Sequence, residues 1–129
     1  MRTTKKLLLV DDSTVMRAIL RRALAGADLA IGEILEASNA EETLERLSAH
    51  HDVALVLSDV DMPGLDVVDL VRAIRERATA GELPVVVLAS ESKRALALDA
   101  VAAGANGWIG KPPSRDAIRD GLESYCGTA

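Results

Sequence analysis

The residues of this chain best equipped for chemistry are acidic, and they fall in two short clusters, Asp11-Asp12 and Asp59-Val60-Asp61. One basic residue joins them as a candidate, Lys111, which stands before Pro112-Pro113. Carboxylates gathered in one place repel each other and raise one another's pKa values. A hard divalent cation relieves that conflict, and magnesium does so with oxygen ligands in octahedral geometry while keeping several waters. A carboxylate is also a nucleophile that can form an aspartyl phosphate. Phosphoryl transfer then depends on positioning and on positive charge around the equatorial oxygens, which a metal and Lys111 would supply. Each residue alone also has a plainer reading. Asp12-Ser13 is a common helix cap, Asp59 suits a turn before Met62-Pro63, and Lys111 suits an ordinary surface position.

The choice between these readings rests on the elements that carry the residues. Lys6 to Val10 is an apolar run that reads as a buried strand, closed by Asp11-Asp12. Apolar residues at Val15, Ile19, Ala23 and at Met16, Leu20, Leu24 give helical spacing over Thr14 to Ala25. Gly32 to Ala37 reads as a second strand. Ser38 with Glu41 predicts a capping box, opening a helix to about Ala49 with Ala40, Thr43, Leu44 and Leu47 inward. Val53 to Ser58 is a continuous apolar run, as a central strand covered on both faces requires, and Asp59 closes it. After the turn at Met62-Pro63-Gly64, Val67, Leu70, Val71 and Ile74 mark a third helix. Gly81 and Pro84 punctuate the loop before a strand over Pro84 to Ala89. A fourth helix is predicted over 92–103 with Leu98, Val101 and Ala102 inward, and Gly104 as its C′ residue. Gly107 to Gly110 is a short fifth strand. Ser114 to about Tyr125 is a fifth helix, with Ile118, Leu122 and Tyr125 on one face. Gly121 weakens that helix by roughly 1 kcal/mol relative to Ala.

Five strand-helix units in succession predict an α/β fold, with a doubly wound parallel sheet and helices on both faces. In such sheets ligands bind beyond the carboxyl ends of the strands, at a topological switch point. Asp11-Asp12, Asp59, Ala89-Ser90 and Lys111 follow strands 1, 3, 4 and 5. With strands 1 and 3 adjacent, three carboxylates converge, and chance alone rarely arranges this.

The chain has 129 residues, of which 49% are hydrophobic and 27% charged, enough for one globular core. It has one Trp, one Tyr and no Phe, so the core must be aliphatic. A net charge of -5 disfavours direct contact with nucleic acid. The lone Cys126 excludes an intramolecular disulfide. It reads as an exposed terminal residue. Leu7 to Val10 is too short for a signal-peptide core, and no run is long enough to insert in a bilayer. The expectation is a cytoplasmic protein. No linker or repeat is visible, and the chain stops after the fifth helix, with no room for an output domain. Arg17, Arg21 and Arg22 read as a solvated face. His50 and His51 lack the partners of a metal site and receive no role.

Three segments carry a resemblance. Leu8-Leu9-Val10-Asp11-Asp12-Ser13, Asp59-Val60-Asp61-Met62-Pro63-Gly64 and Lys111-Pro112 resemble the signatures of response-regulator receiver domains. Val10 to Arg17 looks like the CheY-type chemotaxis regulators in particular. The resemblance covers residues 5 to 125, about the whole chain, taken as a single receiver domain over 1–129. It implies a flavodoxin-like (βα)5 sheet of order 2-1-3-4-5. It implies that Asp59 is the phosphoacceptor, and that Asp12, Asp59 and the main-chain carbonyl of Asp61 ligate Mg2+. Asp11 would act through a metal-bound water, and Lys111 would contact the phosphoryl group. The Lys111–Pro112 bond is often cis in this family. The implied donor is a histidine kinase or phosphotransfer protein, or a small phosphodonor. Donors of the family dock near the first helix. The implied output partner is a separate protein on the face of helix 4, strand 5 and helix 5. The protein would be a signalling receiver that catalyses only its own phosphorylation and dephosphorylation. Asp61 and Glu91 stand where the family tunes dephosphorylation.

Three positions depart from the pattern. Ala89 stands where the family has the switch Thr or Ser, and Ser90 is one residue late; one step along a strand turns a side chain to the other face. Val67 replaces a common glycine, and Pro113 a common aromatic. Trp108 occupies the place of the rotating aromatic, and reads equally as a partly exposed core residue. These departures touch the switch rather than the metal site. They motivate a competing reading as a phosphorylation-independent interaction module. A third reading, a magnesium-dependent phosphohydrolase, lacks an evident general acid-base residue other than Asp61.

Overall fold

The structure is a computed structural model, and it describes residues 4–64 and 66–129. The basic start up to Thr3 therefore lies outside the described residues. The elements alternate along the chain: β1 (Lys5–Val10), α1 (Thr14–Ala25), β2 (Ile31–Ala37), α2 (Ala40–Ala49), β3 (Val53–Asp59), α3 (Val67–Arg75), β4 (Val85–Ala89), α4 (Arg94–Ala102), β5 (Gly107–Gly110) and α5 (Arg115–Cys126). A 3-10 turn, Glu91–Lys93, leads into α4. The strands form one parallel sheet of order β2-β1-β3-β4-β5, so β1 and β3 are neighbours and the progression of successive strands across the sheet switches between them.

Strand alternation divides the apolar residues between two half-cores. Leu8, Val10, Val56, Val85, Val87 and Ala89 face one side, against Val67, Leu70, Val71 and Ile74 of α3 and Ala97 and Ala100 of α4. Leu7, Leu9, Leu55, Leu57, Val86 and Leu88 face the other, against Leu20 and Leu24 of α1 and Ile118, Leu122 and Cys126 of α5. The three middle strands are buried on both faces, which is why they read as unbroken apolar runs.

Several expectations change at the helices. The cap of α2 is Asn39, whose side chain accepts from the Glu42 N–H, while Glu42 accepts from the Ser38 N–H and hydroxyl. The expected Ser38–Glu41 box is thus displaced by one residue, because Ser38-Asn39 and Glu41-Glu42 offer two registers of the same chemistry. On α4 the inward residues are Ala97 and Ala100, whereas Leu98 is 50% and Val101 36% exposed and Ala102 is also outward. Apolar residues ring this helix, so periodicity did not mark its buried side. Cys126 is buried rather than exposed, its thiol donating to the Leu122 carbonyl, and burial pushes its pKa up.

Gly121 has a packing reason that sets against its helix cost. A Cβ there would lie 2.6 Å from Cδ1 and 2.8 Å from Cγ1 of Ile109, so a larger residue would force the Ile109 side chain to shift where α5 meets β5. Arg75, which sequence spacing did not single out, ties the far end of the sheet together. Its guanidinium donates to the carbonyls of Gly104, Ala78 and Leu83 and to Oδ1 of Asn106. That same Asn106 oxygen accepts the Val85 N–H.

Candidate functional site

Main-chain bonds that continue just past the strands fix the residues of the acidic cleft. The Asp11 N–H donates to the Ala37 carbonyl, the Val60 N–H to the Leu88 carbonyl, and the Lys111 N–H to the Ala89 carbonyl. With Val10 paired to Ser58 in the register, Asp11 and Asp59 emerge side by side from adjacent strands. Ser13 is the cap of α1: its hydroxyl accepts from the Met16 N–H, and its own N–H donates to Asp11 Oδ1 at 2.9 Å. Since Ser13 does the capping, Asp12 is left exposed beside the cleft.

The cleft has a volume of about 310 Å³ and is lined by Asp11, Asp12, Ser13, Met16, Asp59, Asp61, Ser90, Lys93 and Lys111. One carboxylate oxygen from each of Asp11, Asp12 and Asp59 lies within 4.8 Å of the others. Among the described residues this is the one such group arranged to share an ion. Lys111 Nζ sits 2.9 Å from Asp59 Oδ1 and 3.5 Å from Asp11 Oδ2. Asp11 and Asp59 are buried. Burial pushes the Asp59 carboxyl up; Lys111 pulls the other way, and the Asp11 charge adds to the rise. A closely packed set of hard oxygen donors with partly uncompensated charge is what a magnesium-sized dication needs, so the residues fit that ion.

Arg17 buttresses this arrangement from α1. Its guanidinium donates to the Asp11 carbonyl and to Glu36 Oε1, while Arg21 donates to Glu36 Oε2 and the Ile34 carbonyl. Arg17 and Arg21 are therefore clasped to β2 rather than forming a free solvated face. Burial would raise the Glu36 carboxyl, but its bonds to Arg21 and Arg17 hold it below the usual range.

The structure separates Ala89 from Ser90. Pairing of β4 with β5 is regular from Val86 to Ala89, with no bulge. Ala89 is fully buried in the α3–α4 half-core, whereas Ser90 lines the cleft with its hydroxyl 3.1 Å from that of Ser92. Trp108 lies on β5, partly buried against the same half-core, with the Arg94 guanidinium 5.9 Å from its ring centroid. Asp61 is an exposed cleft residue, 3.8 Å from Lys93 Nζ. Glu91 is exposed and paired with Arg94 at 3.7 Å, and it does not line the cleft. The Lys111–Pro112 bond is cis. Sequence reasoning missed Lys93, Met16 and the role of Arg17. The signal for Lys93 was its place four residues after the end of β4; for Met16 and Arg17 it was their place in the first turn of α1.

Comparison with known proteins agrees with this arrangement. Residues 7–123 match the family model described as the response regulator receiver domain. The chemotaxis protein CheY1 of Helicobacter pylori is 34% identical over 123 residues, covering 95% of this chain and 98% of that protein. The structure of the chemotaxis response regulator CheY4 of Vibrio cholerae superposes with a TM-score of 0.79 at 27% identity, over 95% of this chain and 99% of that one. A probable two-component system response regulator/GGDEF domain protein superposes with a TM-score of 0.80 at 30% identity, over 94% of this chain. This chain spans about half, 48%, of that protein's length.

Proposed function

The chain belongs to the response regulator receiver family, and from that membership we propose that it is a phosphorylation-controlled, CheY-like switch whose phosphoacceptor is Asp59. Receivers of this kind serve two-component signalling and bind magnesium at an acidic pocket. The observation that carries the reading is the contact of Lys111 Nζ with Asp59 Oδ1 at 2.9 Å inside a three-carboxylate cluster. A nucleophile, a cation and an ion-sized nest of oxygens meet at one point.

Asp11, Asp12 and Asp59, with the Asp61 carbonyl, would hold Mg2+. When bound, the ion neutralises the carboxylates and draws charge from the phosphoryl oxygens. A carboxylate oxygen of Asp59 attacks phosphorus. The new O–P bond forms as the bond to the donor's leaving group breaks, and the leaving group keeps the electron pair. Lys111 turns from its paired carboxylates to the equatorial oxygens, and the Arg17–Asp11 bond keeps the end of β1 in place. Ser90, the hydroxyl nearest the end of β4 that lines the cleft, takes the phosphoryl contact that Ala89 lacks.

A histidine kinase or phosphotransfer protein donates the group near α1, where Val15 and Ile19 are exposed. The output partner is a separate protein that meets α4, β5 and α5, where Leu98 and Val101 lie open. The setting is the cytoplasm, and chemotaxis is the pathway the relatives suggest. It is a switch rather than an enzyme acting on other substrates. Among the described residues no helix is long and apolar enough to cross a membrane.

The test is intact mass after incubation with acetyl phosphate and Mg2+. Wild type gains one phosphoryl group and Asp59→Asn gains none. No adduct on wild type, together with no beryllofluoride complex, would reject the reading. One observation favours the second reading, an interaction module indifferent to phosphorylation: Ala89 is buried without a hydroxyl, and Arg94 covers the Trp108 ring, so the route from cleft to output face lacks its usual contact. Equal partner binding by wild type and Asp59→Asn would establish that alternative.

A further inference from the structure

A second cleft lies at the end of the sheet opposite the acidic one, between the last turns of α2 and α3 and the loop that leads into β4. Its volume is about 620 Å³, within the range of small-molecule sites. Its floor is apolar and includes Leu47, Ile74 and Leu83, the last two buried. Its rim carries two opposite charges, Arg77 and Glu82, both exposed and both on the loop after α3. Tight turns hold that loop in place: the Ala78 N–H donates to the Ile74 carbonyl, and the Leu83 N–H to the Thr79 carbonyl.

The two charges are held but not paired. Arg77 Nη1 donates to the Leu44 carbonyl at 3.0 Å and to the Ser48 hydroxyl at 2.8 Å, which leaves Nε and Nη2 as a fork for a ligand. Glu82 Oε1 accepts the Thr79 N–H at 2.9 Å, and that bond holds the carboxyl below its usual range. Among the described residues neither charge forms an ion pair. A simple anion suits this cleft poorly, because Glu82 and the carbonyl ends of α2 and α3 oppose it. A simple cation suits it poorly because of Arg77. A zwitterion answers both charges at once. We propose that this cleft binds a free α-amino acid with a large apolar side chain. Its carboxylate lies on the Arg77 fork, a geometry that guanidinium matches with two bonds. Its ammonium faces Glu82 and the helix carbonyls, and its side chain covers Leu47, Ile74 and Leu83.

The chain has two histidines, His50 and His51, and both line this cleft, so their ring C–H proton resonances report on it. The experiment follows those resonances while the full chain is titrated, at constant pH, with L-phenylalanine, N-acetyl-L-phenylalanine and 2-phenylethylamine. L-phenylalanine shifts them saturably with a Kd of about 1 mM or tighter, as a ligand of its size supports. The other two probes each lack one charge and bind about two- to fivefold more weakly, the range that exposed charge pairs support. Glu82→Gln weakens L-phenylalanine by the same factor and leaves N-acetyl-L-phenylalanine unchanged. Arg77→Ala weakens L-phenylalanine and leaves 2-phenylethylamine unchanged. Asp59→Asn binds L-phenylalanine as wild type does, since the acidic cleft lies at the other end of the strands. Resonances unmoved by L-phenylalanine, or three probes bound equally by wild type, would overturn the assignment. The comparison of probes on wild type decides the matter where Arg77→Ala fails to fold.

Discussion

Asp12 and Ser13 divide the work at the start of α1. Ser13 takes the cap, so Asp12 has no structural duty that its removal would abolish. Asp12→Ala should therefore leave the melting temperature in metal-free buffer within about 2 °C of wild type, as expected of exposed surface positions. It should also remove most of the stabilisation that Mg2+ confers on wild type, about 2.7 kcal/mol at a hundredfold excess over Kd. Differential scanning calorimetry with and without Mg2+ reads both. Glu36 gives a pH prediction. Its folded-state pKa lies below the ordinary value, so it binds protons more weakly in the folded chain. Its contribution is present above the ordinary carboxylate pKa and is lost as pH falls from there through the lower folded-state value. Glu36→Gln should cost about 1 kcal/mol at pH 7 in urea unfolding, because its partly exposed bonds to two arginines are modest. The gap from wild type should close as the solution is acidified. At this scale the proposed acceptor Asp59, the acids proposed to bind the ion and Lys111 were legible as candidates because each stands at the end of a strand. The cap of α1 and the clasp of Arg17 were not, since both depend on which of several competent neighbours wins a bond.

At the scale of elements, Arg75 joins three pieces that meet at the far end of the sheet: the end of α3, the start of β4 through Leu83 and Asn106, and the turn at Gly104 before β5. Arg75→Ala should lower stability by about 2–3 kcal/mol, because it strands carbonyls of a partly buried network. Urea unfolding of the variant measures it, and phosphorylation of Asp59 in the folded variant should persist, the cleft lying at the opposite end of the strands. Gly121→Ala tests packing against propensity. The helix gains about 1 kcal/mol, while the 2.6 Å approach to Ile109 forces overpacking worth about 1–3 kcal/mol. The variant should be less stable by about 1 kcal/mol in the same assay. Strand positions were legible because burial on both faces demands unbroken apolar runs. The orientation of α4 was not, because Leu96, Leu98 and Val101 supply apolar side chains on the side away from Ala97 and Ala100.

For the whole molecule, the placement of chemistry at one end of the sheet follows from a single repeated rule, a strand followed by a helix that returns the chain to the same side, whereas the order β2-β1-β3-β4-β5 was implied by the family resemblance alone. That rule was visible in the sequence before any contact was known. It says nothing of how closely neighbouring layers approach, which is settled by individual side-chain volumes. Ile109 and Gly121 illustrate this: one fills the space that the other vacates, across the join between the last strand and the last helix. Such a pair constrains how the chain can drift. A methyl group gained at position 121 is tolerable once position 109 has shrunk, and a smaller residue at 109 invites growth at 121. The two sites should accordingly exchange volume together among descendants of this sequence, passing through intermediates that spare the acidic cleft and are lost to selection for folding rather than for signalling.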